Sequence, residues 1–131
     1  MTLKFSTDIR NARLSLINTA VNAGPSTGRV NIYSGTRPSA GSVSGTLLIS
    51  VILHSTGFFT PSNGVMTAKE ITPQDISTSG VASWFRMVDS TGEFVCDGDV
   101  ATSGGDMTVP TTTFTDGVTL TITSLVLTDG N

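Results

Sequence analysis

Apolar positions near the start of the chain recur at helical spacing. Between about Thr7 and Ala23, the residues Phe5, Ile9, Ala12, Leu16 and Ala20 form one stripe, with Leu14, Ile17 and Val21 on its flank. Asn11, Ser15, Asn18 and Asn22 mark the opposite face. Ser6 or Thr7 caps the first turn, Asp8 suits the positive end of the helix dipole, and Gly24-Pro25 stops the helix. The apolar arc spans about half the cylinder, wider than packing on one sheet requires. The helix is therefore either deeply buried or in contact with a second partner. On this pattern Ile9, Leu16 or Ile17 packs on the sheet, while Leu3, Phe5 or Leu14 reaches a neighbouring subunit.

After Gly28 the period changes to that of strands. Candidate strands are Arg29 to Tyr33, Thr46 to His54, Val65 to Ile71, Val81 to Val88, Glu93 to Val100, Met107 to Phe114 and Val118 to Thr128. Turn residues separate them: Gly35-Thr36-Arg37-Pro38, Asn63-Gly64, Ser79-Gly80, Ser90-Thr91-Gly92, Gly104-Gly105 and Asp116-Gly117. The expectation is a mainly β fold, an antiparallel sandwich or barrel with one N-terminal amphipathic helix. Residues 1–24 supply the helix and 25–131 the sandwich body of a single domain. Leu47 to Leu53 is apolar on both faces, so the helix or another subunit should cover its second side. In the last strand Val118, Leu120 and Ile122 share one face but Leu125 and Leu127 share the other. A bulge or a crossing between sheets near Ser124 accounts for that change.

Composition narrows the functional classes. Only 13% of the 131 residues are charged and 37% are hydrophobic, a balance opposite to that of disorder. Seven scattered Lys and Arg against ten Asp and Glu leave too little positive charge for a phosphate backbone, so nucleic acid is not an expected partner. Hydroxyls, from 38 Ser and Thr, keep the surface wet in place of charges. No apolar run approaches the roughly 18 residues of a membrane span, and no secretory signal is evident near Lys4. A soluble protein made in a cytoplasm is expected, with no membrane partner.

Candidate chemistry is sparse. Cys96 and His54 are the lone cysteine and histidine, which excludes an intramolecular disulfide and a Cys/His zinc site. Asp97, Asp99 and Asp106 sit in a Gly-rich stretch that either holds calcium or simply forms hairpin turns. It lacks the ligand spacing of the twelve-residue calcium loop, which favours turns. His54 ends an apolar strand with no Gly-x-Ser-x-Gly elbow, and Cys96 has no neighbouring base, so no catalytic residue, metal or cofactor is assigned and the chain is not expected to be an enzyme. Trp84 is either core or a sugar-stacking platform. The adjacent Phe58 and Phe59 point to opposite sides of an extended chain, which places one of them against a neighbour.

Several segments carry a family likeness. Val30-Asn31-Ile32-Tyr33-Ser34-Gly35-Thr36-Arg37-Pro38, Gly45-Thr46-Leu47-Leu48, Asn63-Gly64-Val65, Ala82-Ser83-Trp84-Phe85-Arg86, Asp89-Ser90-Thr91-Gly92, Asp97-Gly98-Asp99-Val100 and Thr102-Ser103-Gly104 resemble small structural proteins of tailed bacteriophages. The ending Gly117-Val118 to Thr121-Ile122-Thr123-Ser124-Leu125 and the opening helix are similar to them too. The resemblance implies an antiparallel jelly-roll-like sandwich and a virion component, a capsid decoration or cement protein that binds the major capsid protein and itself as a homodimer or trimer. It implies no catalytic residues. Two alternatives accompany it: a phage neck, tail or fibre-base component, and a carbohydrate-binding module using Trp84.

Overall fold

The computed structural model describes residues 3–39 and 41–129. It is mainly β with one helix, α1 (Thr7–Val21). Ser6 caps α1 by accepting a hydrogen bond from the Ile9 N–H at 3.3 Å, and Asp8 occupies the first turn. α1 ends at Val21, two residues before the Ala23 boundary suggested by the pattern, and the chain leaves it through Asn22 and a left-handed Gly24.

Among the described residues eleven short strands follow: β1 (Arg29–Tyr33), β2 (Leu47–Ile52), β3 (Val65–Thr67), β4 (Gln74–Asp75), β5 (Gly80–Val81), β6 (Trp84–Val88), β7 (Phe94–Ala101), β8 (Met107–Thr108), β9 (Thr113–Phe114), β10 (Thr119–Leu120) and β11 (Ser124–Thr128). Seven of them form one sheet in the order β2-β1-β6-β7-β8-β11-β3, and β10-β4 and β5-β9 form two small ribbons. The sheet is mixed, not wholly antiparallel as expected, because β7 and β8 pair in parallel across the Gly-rich link 102–106.

Three predicted strands are each divided between a ribbon and the sheet. At Ala82-Ser83 the Ala82 N–H donates to Thr112 O in the ribbon while the next N–H, of Ser83, donates to Tyr33 O in the sheet. Met107 to Phe114 divides at Pro110, which cannot donate to a ladder. Val118 to Thr128 crosses from β10 in one ribbon to β11 in the sheet, the crossing that the parity change near Ser124 foretells.

Register fixes the two faces of the sheet. Val30, Ile32, Ile49, Val51, Phe85 and Met87 share the inner face with Cys96 and Gly98 of β7. The six apolar residues form one buried cluster with Leu14 and Val21 of α1 and with Ile76, Phe114 and Leu120 from in and beside the ribbons, and Cys96 packs half-buried against it. Gly98 is required there, since the Phe85 ring occupies the space a β-carbon would fill. The helix lies chiefly against β3 and β7 rather than β2. The free edge of β2 is protected instead by Ser77 and Thr78, whose N–H groups both donate to Leu48 O, at 3.0 and 3.1 Å.

Candidate functional surface

The orientation of α1 reverses part of the expectation. Leu14 is 2% exposed and Val21 is fully buried, so they define the direction that faces the core. At about 100° per residue, Ile9, Ala12, Leu16 and Ala20 lie on the opposite side, and Phe5 precedes the Ser6 cap. All five are exposed, Ile9 at 48% and Leu16 at 68%. Ile9 and Leu16, read as sheet-packing positions, thus face solvent, and Leu14, read as an interface residue, is core.

The cause is the asparagine face. Asn11 Oδ1 accepts from Gly64 N at 2.8 Å and Asn18 Oδ1 accepts from Phe58 N at 3.0 Å. Asn22 Nδ2 donates to Asn18 Oδ1 at 3.2 Å and to Thr56 O at 3.3 Å. A loop pressed against a helix needs partners for its backbone donors, because an unpaired buried N–H costs about 1–3 kcal/mol. The asparagines supply those acceptors, and the helix is held with its polar face toward residues 56–64 and its apolar stripe outward.

Of the other interface candidates, Phe58 is also core, at 3% exposure, and its contact with a neighbour is ruled out for the same reason as that of Leu14. Phe59 points the other way and is exposed, with Lys69 Nζ 5.6 Å from its ring centroid. Leu3 and Phe5 are exposed before the helix, and the Arg13 guanidinium lies 4.5 Å over the Phe5 ring. Arg13 also bonds Asp129 Oδ1 at 2.8 Å.

The outer face of the sheet carries a second aromatic group. Trp84 and Tyr33 stack with centroids 4.6 Å apart and planes at 16°. Beside them Arg86 grips Asp97 with two bonds, Nε to Oδ1 at 2.8 Å and Nη2 to Oδ2 at 3.0 Å. Its Nη1 donates to Gly41 O at 2.8 Å, and its guanidinium lies 4.0 Å over Phe94. The hydrogen bonds to Asp97 raise the Arg86 pKa further above its ordinary value. Arg37 meets Asp99 at 3.2 Å, so the loop between β1 and β2 is tied down over this face at two points. Trp84 is fully buried, and its indole presents no open face on which a sugar could stack. Its Nε1 has no hydrogen-bond partner among the described residues.

The remaining candidates are dispersed. Asp97 holds Arg86, Asp99 holds Arg37, and Asp106 Oδ2 accepts from Asp99 N at 3.0 Å, which assigns the three carboxylates to separate structural tasks. Among the described residues no group of three His, Cys, Asp or Glu is placed to hold a metal ion. His54 Nδ1 engages Thr56 of its own turn. Cys96 borders a cleft of about 280 Å³ with Leu14, Ile17, Asp106 and Leu127, and burial pushes its thiol up to about 11, away from reactivity. No helix of the described residues is long and apolar enough to cross a membrane.

Comparison with protein-family models, curated proteins and solved structures yields no match.

Proposed function

We propose that this chain is a structural protein of a tailed-bacteriophage virion, a decoration or cement protein that binds the outside of the assembled capsid and clamps the joints between major capsid proteins. The observation that carries the reading is the outward stripe of α1, where Ile9, Ala12, Leu16 and Ala20 form a continuous apolar line that the chain's own fold leaves uncovered. Sequence resemblance over most of the chain supports it. In this reading the protein is made in the host bacterium's cytoplasm, joins the virion, carries out no catalysis and contacts neither nucleic acid nor membrane. The jelly-roll-like ancestry of its sheet belongs to the same reading.

The mechanism is mass action. A protein that binds the assembled shell but not the free capsid subunit stabilises the shell by the free energy of its own binding, and many copies on a lattice make modest affinity per copy sufficient. With few charges to engage, the contact rests on apolar burial, which salt does not weaken.

The test is sedimentation of the purified chain with particles of the phage whose genome encodes it. The expected result is saturable attachment to intact shells that survives about 1 M NaCl and is released by urea. Absence of attachment to intact particles would overturn the proposal.

A further inference from the structure

We infer that Asn63 is a site of spontaneous deamidation and isoaspartate formation, and that Asn11 of the docked helix guards it through the Gly64 N–H. The inference stands apart from the proposed function, since the reaction needs only the chain itself and water.

Asn63 is the one asparagine of the chain followed by glycine. The reaction runs fastest in that pair, because glycine has no side chain to hinder its own nitrogen or restrict its backbone. The backbone nitrogen of Gly64 attacks Cγ of the Asn63 side-chain amide. A new N–Cγ bond closes a succinimide ring as the Cγ–Nδ2 bond breaks, and Nδ2 leaves as ammonia with the proton lost from the Gly64 nitrogen. Water then opens the ring. Addition at Cγ gives aspartate at position 63, and addition at the main-chain carbonyl gives isoaspartate, with the chain now running through the β-carbon. Either product gains one negative charge, and nothing is oxidised or reduced.

The fold demands this dipeptide and restrains it. Ser62 and Val65 exchange two hydrogen bonds of 2.9 Å across a turn whose central residues both have positive φ, 54° at Asn63 and 73° at Gly64. Such a turn selects Asn-Gly, and a β-carbon on Gly64 would also lie 2.6 Å from Arg10 Nη1. In this mirror-image geometry the Gly64 nitrogen stands nearly anti to the Asn63 β-carbon, so ring closure requires rotation about the Cα–C bond of Asn63. Asn11 Oδ1 opposes that rotation by accepting from the Gly64 nitrogen at 2.8 Å. Deprotonation there would set an anion against the lone pairs of the same oxygen. Asp129 N donates to Gly64 O at 2.9 Å and holds the other end of the residue. Asn63 is exposed to water, whereas Gly64 is buried. Isoaspartate lengthens the main chain by one carbon, which so short a turn cannot absorb, and it carries the Gly64 N–H away from Asn11. The modification therefore releases the first half of α1 from the turn, irreversibly.

The experiment follows the full chain in mildly alkaline buffer, folded and in urea, by intact mass and peptide mapping. The unfolded wild type should modify at Asn63, and the folded wild type at least about 10-fold more slowly. Asn11→Ala removes the acceptor and should speed the folded reaction at least about 5-fold, the worth of one net hydrogen bond. Asn11→Asp keeps an acceptor oxygen and should stay within about 2-fold of the wild type. Asn18→Ala, which removes the matching acceptor for Phe58 N and leaves Gly64 untouched, should do the same. Circular dichroism checks that each variant is folded. The inference is overturned if folded and unfolded chains modify alike, if Asn11→Ala keeps the wild-type rate, or if Asn18→Ala accelerates as much as Asn11→Ala. Should Asn11→Ala fail to fold, hydrogen exchange of the wild type decides. The Gly64 amide should exchange at least about 10-fold more slowly than in the unfolded chain, and free exchange there overturns the inference too.

Discussion

Truncating two leucines on one helix tests the orientation of α1 directly. Leu14 is 2% exposed and packs in the same cluster as Leu127 and Met66, whereas Leu16, two residues on, is 68% exposed. Leu14→Ala removes buried methyl groups and leaves a cavity, which costs about 3 kcal/mol within a usual range of about 2–5 kcal/mol. For a domain of 131 residues, 1 kcal/mol shifts Tm by roughly 3–4 °C, so the expected loss is about 10 °C. Leu16→Ala removes atoms already in water and replaces leucine with a residue of higher helix propensity. Its expected effect is within about 0.5 kcal/mol, or less than about 2 °C. The assay is far-UV circular dichroism melting in dilute solution. If Leu16→Ala lowers Tm as much as Leu14→Ala in dilute solution, α1 is turned by about half a revolution from the orientation described, and the argument from the asparagine face is wrong.

Other perturbations probe the sheet. Asp97→Asn leaves Arg86, only 7% exposed, without its charge partner and should cost about 3 kcal/mol in urea unfolding, with much of the loss recovered by adding Arg86→Met. Gly98→Val forces the Phe85 ring out of its rotamer and should destabilise by about 1–3 kcal/mol in the same assay, with no loss expected for Gly92→Ala beyond its turn strain. Cys96, with its thiol moved from 9.0 to about 11, holds about 100-fold less thiolate at pH 8 than an unshifted thiol, and labelling by a disulfide reagent should slow accordingly. Asp89 accepts hydrogen bonds from Thr91 and Glu93, which hold its carboxyl below the usual carboxylate range. The stability it contributes is therefore complete above about pH 4 and lost as pH falls through its lowered pKa, so Asp89→Asn should flatten the acid limb of a stability-against-pH curve.

Much of the local structure was legible in the chain. The helix, its Ser6 cap and its stop at Gly24 follow from capping chemistry and backbone preference, which act within a few residues. The crossing between β10 and β11 was visible because period-2 alternation breaks when a strand changes sheets. The exposed stripe was visible as a surplus of apolar positions, though its direction was not.

Direction and partner were decided by the tertiary structure. Periodicity shows that α1 has an apolar stripe and a polar face, but not that the N–H groups of Phe58 and Gly64 stand where Asn18 and Asn11 can receive them. Those donors come from 40 and 53 residues away. Likewise, alternation in β6 reads the same whether Trp84 faces water or core. It is buried because the loop after β1 folds over the outer face of the sheet, tied by Arg86 to Gly41 and by Arg37 to Asp99. The parallel step from β7 to β8 and the division of three strands into ribbons also depend on distant partners, such as Thr112 for Ala82. Local preferences act between near neighbours and are written in the order of residues. Backbone donors and acceptors must be satisfied wherever the folded chain brings them, and for α1 that requirement outweighed the simple rule that the more apolar face turns inward.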